Sequence, residues 1–193
     1  MREAYVIDDN FDNINFTEQP LEVGEYENCT FRTCNFEYIN LSEFKFTNCE
    51  FVDCNLSMTK LAGTAFRDVV FKDCKMFGMH FDDCNEFGMS FRFDGCALNN
   101  SVFYKTTIKR TLFKNSKLIE VDFAECDLSN SVFSNCDFSG ATFERTNLEK
   151  ADLRTSFNYT INPESNKLKK TKFSLSEVHG LLRQFDIEID KNS

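Results

Sequence analysis

Residues 126–140 read CDLSNSVFSNCDFSG, three five-residue units laid end to end. In each unit the third residue is large and apolar (Leu128, Phe133, Phe138) and the first is small (Cys126, Ser131, Cys136). Stepping by five in both directions extends the run from Leu98 to Leu153 through Phe103, Ile108, Phe113, Leu118, Phe123, Phe143 and Leu148. A second run, displaced by two residues, starts at Phe11. It continues through Phe16, Leu21, Tyr26, Phe31, Phe36, Leu41, Phe46, Phe51, Leu56, Leu61, Phe66, Phe71 and Met76 to Phe81. All 27 of these positions are apolar in a chain that is 41% apolar, which chance does not produce. Between the runs Glu86 breaks the pattern and Phe91 briefly restores it, so the register changes within residues 86–97.

A period of five fits neither regular element. Five helical residues advance about 140° net, so the apolar positions would spiral around a helix. In a straight strand a step of five lands on the opposite face. The chain must therefore bend once per unit. Two residues before each centre the side chain is small or sulfur-bearing, as at Cys29, Cys34, Thr64, Ser101, Thr111 and Ala151. Positions i−2 and i share a face in extended chain, so each unit turns one large and one small side chain inward. Asn35, Asn55, Asp127 and Asp152 precede their centres and suit corner conformations. Repeated bending winds the chain into coils stacked about 4.8 Å apart around a continuous core.

Runs such as Ala151-Asp152-Leu153, Cys136-Asp137-Phe138-Ser139-Gly140 and Cys126-Asp127-Leu128-Ser129-Asn130 resemble the A-(D/N)-(L/F)-X-X motif of the pentapeptide-repeat family, over residues ~11–157. The resemblance implies an all-β fold, a right-handed quadrilateral β-helix with four units per coil and roughly seven coils. Within the family the chain is similar to the Qnr and microcin-immunity group. The similarity rests on Phe87-Gly88-Met89-Ser90-Phe91 with Cys96-Ala97-Leu98, on Ile161-Asn162-Pro163-Glu164, and on a closing segment over Phe173–Ile189. That group implies a type II topoisomerase partner, DNA gyrase or topoisomerase IV. It is bound by mimicry of duplex DNA, with protection from topoisomerase poisons such as quinolones. Qnr proteins of Gram-negative bacteria project long loops between repeats, whereas this chain is interrupted only at 86–97.

The charge agrees with a surface of that kind. The net charge is −9, and residues 1–90 carry 7 Lys/Arg against 17 Asp/Glu. Residues 91–155 balance at 9 and 9. An acidic surface repels nucleic acid and attracts basic partners, so direct nucleic-acid binding is not expected. Asp53, Asp68, Asp73, Asp82, Asp83 and Glu86 are the candidate partner contacts. Glu86 stands at a central position where a lone carboxylate is costly to bury, so it is expected to point outward at a local bulge or to be paired.

The nine cysteines all fall two residues before a centre, none in a C-x-x-C pair, and read as small core residues in a reducing compartment. His80 precedes Phe81 and faces outward, and His179 lies near the C-terminus. No catalytic triad, phosphate loop, metal cluster or cofactor motif is legible, so a non-enzymatic protein is expected. No stretch approaches the ~20 apolar residues of a membrane helix, and the acidic N-terminus lacks signal-peptide character. A cytoplasmic location is the default expectation.

The pattern places the β-helix over residues 1–157 and a C-terminal cap over 158–193. Ser174 or Ser176 is expected to cap a helix over about 175–184, followed by a short strand over 186–190. The open end of a β-helix exposes unpaired backbone and must be covered. The resemblance supports a homodimer through this cap, using Leu175, Val178, Leu181, Leu182, Phe185, Ile187 and Ile189. The other reading is a pentapeptide-repeat scaffold with a different partner.

Overall fold

The computed structural model describes residues 4–185 and 187–190. Eleven short strands lie among them: β1 (Ala4–Ile7), β2 (Asn10–Asp12), β3 (Gly24–Glu27), β4 (Thr30–Arg32), β5 (Lys45–Thr47), β6 (Glu50–Val52), β7 (Ala65–Arg67), β8 (Val69–Lys72), β9 (Phe91–Asp94), β10 (Leu112–Lys114) and β11 (Val132–Ser134). All pairing among the described residues is parallel, and successive partners lie 20 residues apart, as in Phe11↔Phe31 and Phe31↔Phe51, except across one coil of 22. Twenty residues are four units, so each unit forms one side of a square coil. The coils stack into the right-handed quadrilateral β-helix that the family resemblance implies. One face carries the four-stranded sheet β1-β3-β5-β7, and the next carries the seven-stranded sheet from β2 to β11. The third and fourth faces are joined by single bridges, such as Asn35↔Asn55 and Asn40↔Lys60.

The core is the set of centres. On the second face Phe11, Phe31, Phe51, Phe71, Phe93, Phe113 and Phe133 stack ring on ring, with successive centroids 4.7, 4.7, 5.1, 5.4, 4.9 and 4.9 Å apart. Each ring contributes roughly 1.5–3 kcal/mol of gross burial, most of it offset by chain entropy.

The i−2 slot does more than fill space. Cys34, Cys54, Cys74 and Cys96 form a column whose thiols donate to the carbonyls of Phe11, Phe31, Phe51 and Phe71 in the preceding coil, at 3.2–3.4 Å. Thr64, Ser101 and Thr146 donate from the same slot to Leu41, Met76 and Phe123. Cys, Ser and Thr thus interchange here because each is small and carries one donor. All nine cysteines are buried and unbridged. Burial pushes the thiols of Cys49 and Cys126 up to about 12 and that of Cys136 up to about 11.

The corners differ from the expectation in one respect. Asn and Asp before the centre do not occupy the corner but brace it. The Asn35, Asp127 and Asp137 side chains accept the backbone N–H two residues on. The turning residue itself lies two after the centre and has positive φ, as at Asn28 (54°), Asp53 (52°), Lys105 (59°) and Gly140 (69°).

Two boundaries are corrected. The coil ladder does not stop at Phe157, because Asn147↔Lys167 and Asp152↔Lys172 continue it. The small slots Ser156, Ile161 and Asn166 remain buried, and Leu168 and Phe173 still pack on the core. Asn158 and Pro163 interrupt only the large positions. The expected helix over 175–184 is replaced by two 3₁₀ turns, Val178–Leu181 and Arg183–Phe185. Gly180 sits in the middle of that segment and packs on Tyr159, where a Cβ would lie 2.3 Å from the Tyr159 carbonyl oxygen. Bonds spanning three residues, Gly180 to Glu177 and Leu182 to His179, then tighten the chain. Ser174 Oγ accepts the Glu177 N–H (3.3 Å), but it caps no helix, because the first 3₁₀ turn starts after Glu177 with no side-chain cap. No strand forms over residues 187–190, and Asp186 lies outside the described residues.

Candidate partner-binding surface

Among the described residues no group of three His, Cys, Asp or Glu is placed to hold a metal. His80 lies 3.3 Å from the Asp82 carboxylate on an outer face. No helix among the described residues is long and apolar enough to cross a membrane.

The predicted acidic contacts do not form one patch. Asp53 and Asp73 share the corner after the second face, and Asp68 occupies the corner after the first. Asp82 lies on the fourth face and Asp83 at its end, in a single 3₁₀ turn over Phe81–Asp83. Glu86 is exposed at the register change, as the cost of burying it requires.

That change is a bulge of two residues. Strand partners below it differ by 20 in number, whereas Val69 pairs with Phe91 and Phe71 with Phe93, a difference of 22. Phe93 is therefore the centre, and Phe91 fills the small slot. The extra length falls on the first face, where the β1-β3-β5-β7 sheet ends. The Asn85 side chain accepts the Phe87 N–H (3.0 Å), and Gly88 takes φ +72°. The Ser90 hydroxyl donates to the Asp68 carboxylate (3.1 Å) and accepts the Asp68 N–H (2.7 Å). Phe87 is left 79% exposed, with the Arg67 guanidinium 5.8 Å over its ring and Arg67 Nε donating to its carbonyl (3.3 Å).

The fourth side gathers acidic residues from both halves of the chain. The fourth face and its trailing corner carry Glu22, Glu43, Asp82, Asp83, Asp122, Glu125, Glu144 and Glu164, so the stripe reaches beyond the acidic N-terminal half. Their basic neighbours are Lys60, Lys105 and Arg145. The last two are tied to Glu125 at 3.8 and 2.6 Å, and the Arg145 hydrogen bond holds the Glu125 carboxyl below its ordinary range. The second face instead carries ion pairs at two places, Lys114–Asp94 (2.8 Å) and Arg154 and Lys172 on Asp152 (2.8 and 3.6 Å).

At the C-terminus Leu175, Phe185, Ile187 and Ile189 are exposed, Leu175 at 92%. Val178 and Leu182 are half-buried, and Leu181 packs against the core. Leu175, Val178, Leu182 and Ile189 line one groove together with Ser176, Glu177, His179 and Asp190.

A family model described as "Pentapeptide repeat region" matches residues 24–92 and 89–181. Among solved structures, full-length QnrB1, described as a plasmid-mediated fluoroquinolone resistance protein, is similar at 18% identity. The match covers 94% of this chain and 99% of that one, with a TM-score of 0.55. HetL, a pentapeptide repeat protein of the cyanobacterium Nostoc described as involved in heterocyst differentiation regulation, is similar at 12% identity. That match covers 86% of this chain and 89% of HetL, with a TM-score of 0.36. No curated protein matches the sequence.

Proposed function

The chain belongs to the pentapeptide-repeat family, and from that premise we propose that it is a non-catalytic binding protein. Its partner is a type II topoisomerase, DNA gyrase or topoisomerase IV, which it engages in place of duplex DNA. The acidic stripe along the fourth face is the observation that carries this reading. Coils rise about 4.8 Å, and the stripe averages one carboxylate per coil, with Lys60 and Lys105 in place of carboxylates on the coils of Leu61 and Phe103. A DNA strand carries one charge per ~3.4 Å, so one face approximates a single strand at lower density. A basic DNA-binding surface would meet the stripe along its length. Protection from fluoroquinolones, a cytoplasmic location and a homodimer through Leu175, Phe185, Ile187 and Ile189 belong to the same reading.

A second reading, a scaffold for another partner, draws on the dispersal of Asp53, Asp68, Asp73, Asp82, Asp83 and Glu86 over separate corners. A gyrase supercoiling assay with purified protein, with and without ciprofloxacin, separates the two. Inhibition at high protein or rescue at low protein is expected. Both effects should weaken when Asp82, Asp83, Asp122 and Glu144 are changed to Asn or Gln. Unaltered supercoiling at micromolar protein would rule out gyrase and favour the scaffold.

A further inference from the structure

The corner after the first face carries charges that the rod leaves unpaired. Its column runs Asp8, Asn28, Asn48, Asp68, the bulge at Gly88, Arg110, Asn130, Lys150 and Lys170, all with φ between 51° and 72°. Gly, Asn and Asp tolerate this conformation best, so the backbone does not explain Arg110, Lys150 or Lys170. Ion pairing within the chain does not explain them either. Among the described residues none of these three bases and neither Asp8 nor Asp68 forms a salt bridge, although Lys45–Glu25 and Lys109–Asp127 pair on the same face. Asp8 accepts only from the Asn28 amide (3.0 Å) and Asp68 from Ser90.

The order of the charges supplies an explanation. Counting outward from Gly88, the first places are Asp68 and Arg110, and the second are Asn48 and Asn130. The third are Asn28 and Lys150, and the fourth are Asp8 and Lys170. No place sets like charge against like, and the sign reverses across the middle. We infer that this corner is a self-association surface on which two copies of the chain pair antiparallel, about a two-fold axis through the Gly88 bulge.

Turning a second copy end for end sets Asp68 against Arg110 and Asp8 against Lys170, each pair occurring twice as two-fold symmetry requires. Phe87, the exposed ring at the bulge, then meets its own copy near the axis. The neighbouring column would oppose Arg67 to Lys109 and Glu27 to Glu149, which confines the contact to the corner ridge. Such a contact is mostly ionic and exposed, so it is weak and salt-sensitive. It rests on the coil register alone, not on the topoisomerase reading or on the C-terminal groove.

Sedimentation velocity on the full chain tests it, over a concentration series at about 50 mM and about 500 mM salt. Parallel runs on Leu175→Asp remove any association through the terminal groove. Dimers are expected at low salt and lost at high salt. Arg110→Glu or Asp68→Arg should each weaken them about tenfold, and the double exchange should restore them to within about threefold. Arg110→Asn should weaken the dimer while leaving the melting temperature unchanged or higher. A chain that stays monomeric at low salt overturns the inference. So does a dimer indifferent to both reversals, a double exchange that fails to restore it, or an Arg110→Asn loss that tracks the melting temperature.

Discussion

The first and second faces begin alike, with four aligned rungs each, and part company at one coil. On the second face the sheet runs from β2 to β11 without a gap, and its phenylalanine rings stay stacked across the coil of 22 residues. On the first face the sheet ends at β7, where the same coil throws out Glu86, Phe87 and Gly88. The difference teaches where a stacked coil absorbs extra chain. The insertion stays on the side where it enters, because the next side is already fixed by a ring column with no room to slip. Phe91 and Phe93 return at once to partners on Val69 and Phe71.

The largest expected difference between the two sides comes from the same truncation made on each. Phe93 is fully buried between Phe71 and Phe113, so Phe93→Ala should cost about 3–5 kcal/mol in urea unfolding. Phe87→Ala, on the same coil but exposed, should stay within about 0.5 kcal/mol. Equal losses would show that the bulge is part of the core. A smaller effect comes from repairing the first face. Deleting Phe87 and Gly88 returns the coil to 20 residues, and Glu86→Leu then supplies an apolar centre. Together they should raise stability by about 1–3 kcal/mol, and loss of folding instead would mean that the bulge is structurally required.

The smallest effect concerns the charges dressing the second face. The hydrogen bond from Lys114 holds the Asp94 carboxyl below its usual range, and that from Arg154 does the same for Asp152. A carboxyl with a lower pKa folded than unfolded adds stability above the unfolded value, about 3.9, and loses it as pH falls through the folded value. Melting temperature should therefore drop below about pH 4, and less steeply in Asp94→Asn; an identical slope would show that the pair does not contribute.

Much of this architecture is legible in the residues. A period of five admits no helix and no straight strand, and the alternation of large centres with Cys, Ser, Thr or Ala fixes what faces inward. Glu86 could be placed outward because its charge forbids a central slot. Other features needed three dimensions. Leu168 and Phe173 keep the five-residue step from Leu153, but Asn158 and Pro163 hide it, and only the buried Ser156, Ile161 and Asn166 reveal the continuing coil. The C-terminal apolar spacing looks helical, yet Gly180 against Tyr159 turns the chain in threes. The acidic stripe is invisible to a count along the chain because its members, single or in close pairs, lie about a coil or more apart in sequence.

The square coil makes chain length an angular quantity. Four units close one turn, so one added unit would rotate everything downstream by about a quarter turn relative to everything upstream. The core would still receive one apolar centre on most sides, but the phenylalanine column of the second face would be displaced to another side downstream. Glu43 would keep its place while Asp122 and Glu144 moved to another side. The phase between the two ends of the rod is thus set by counting residues, and a ligand that reads one side reads that count.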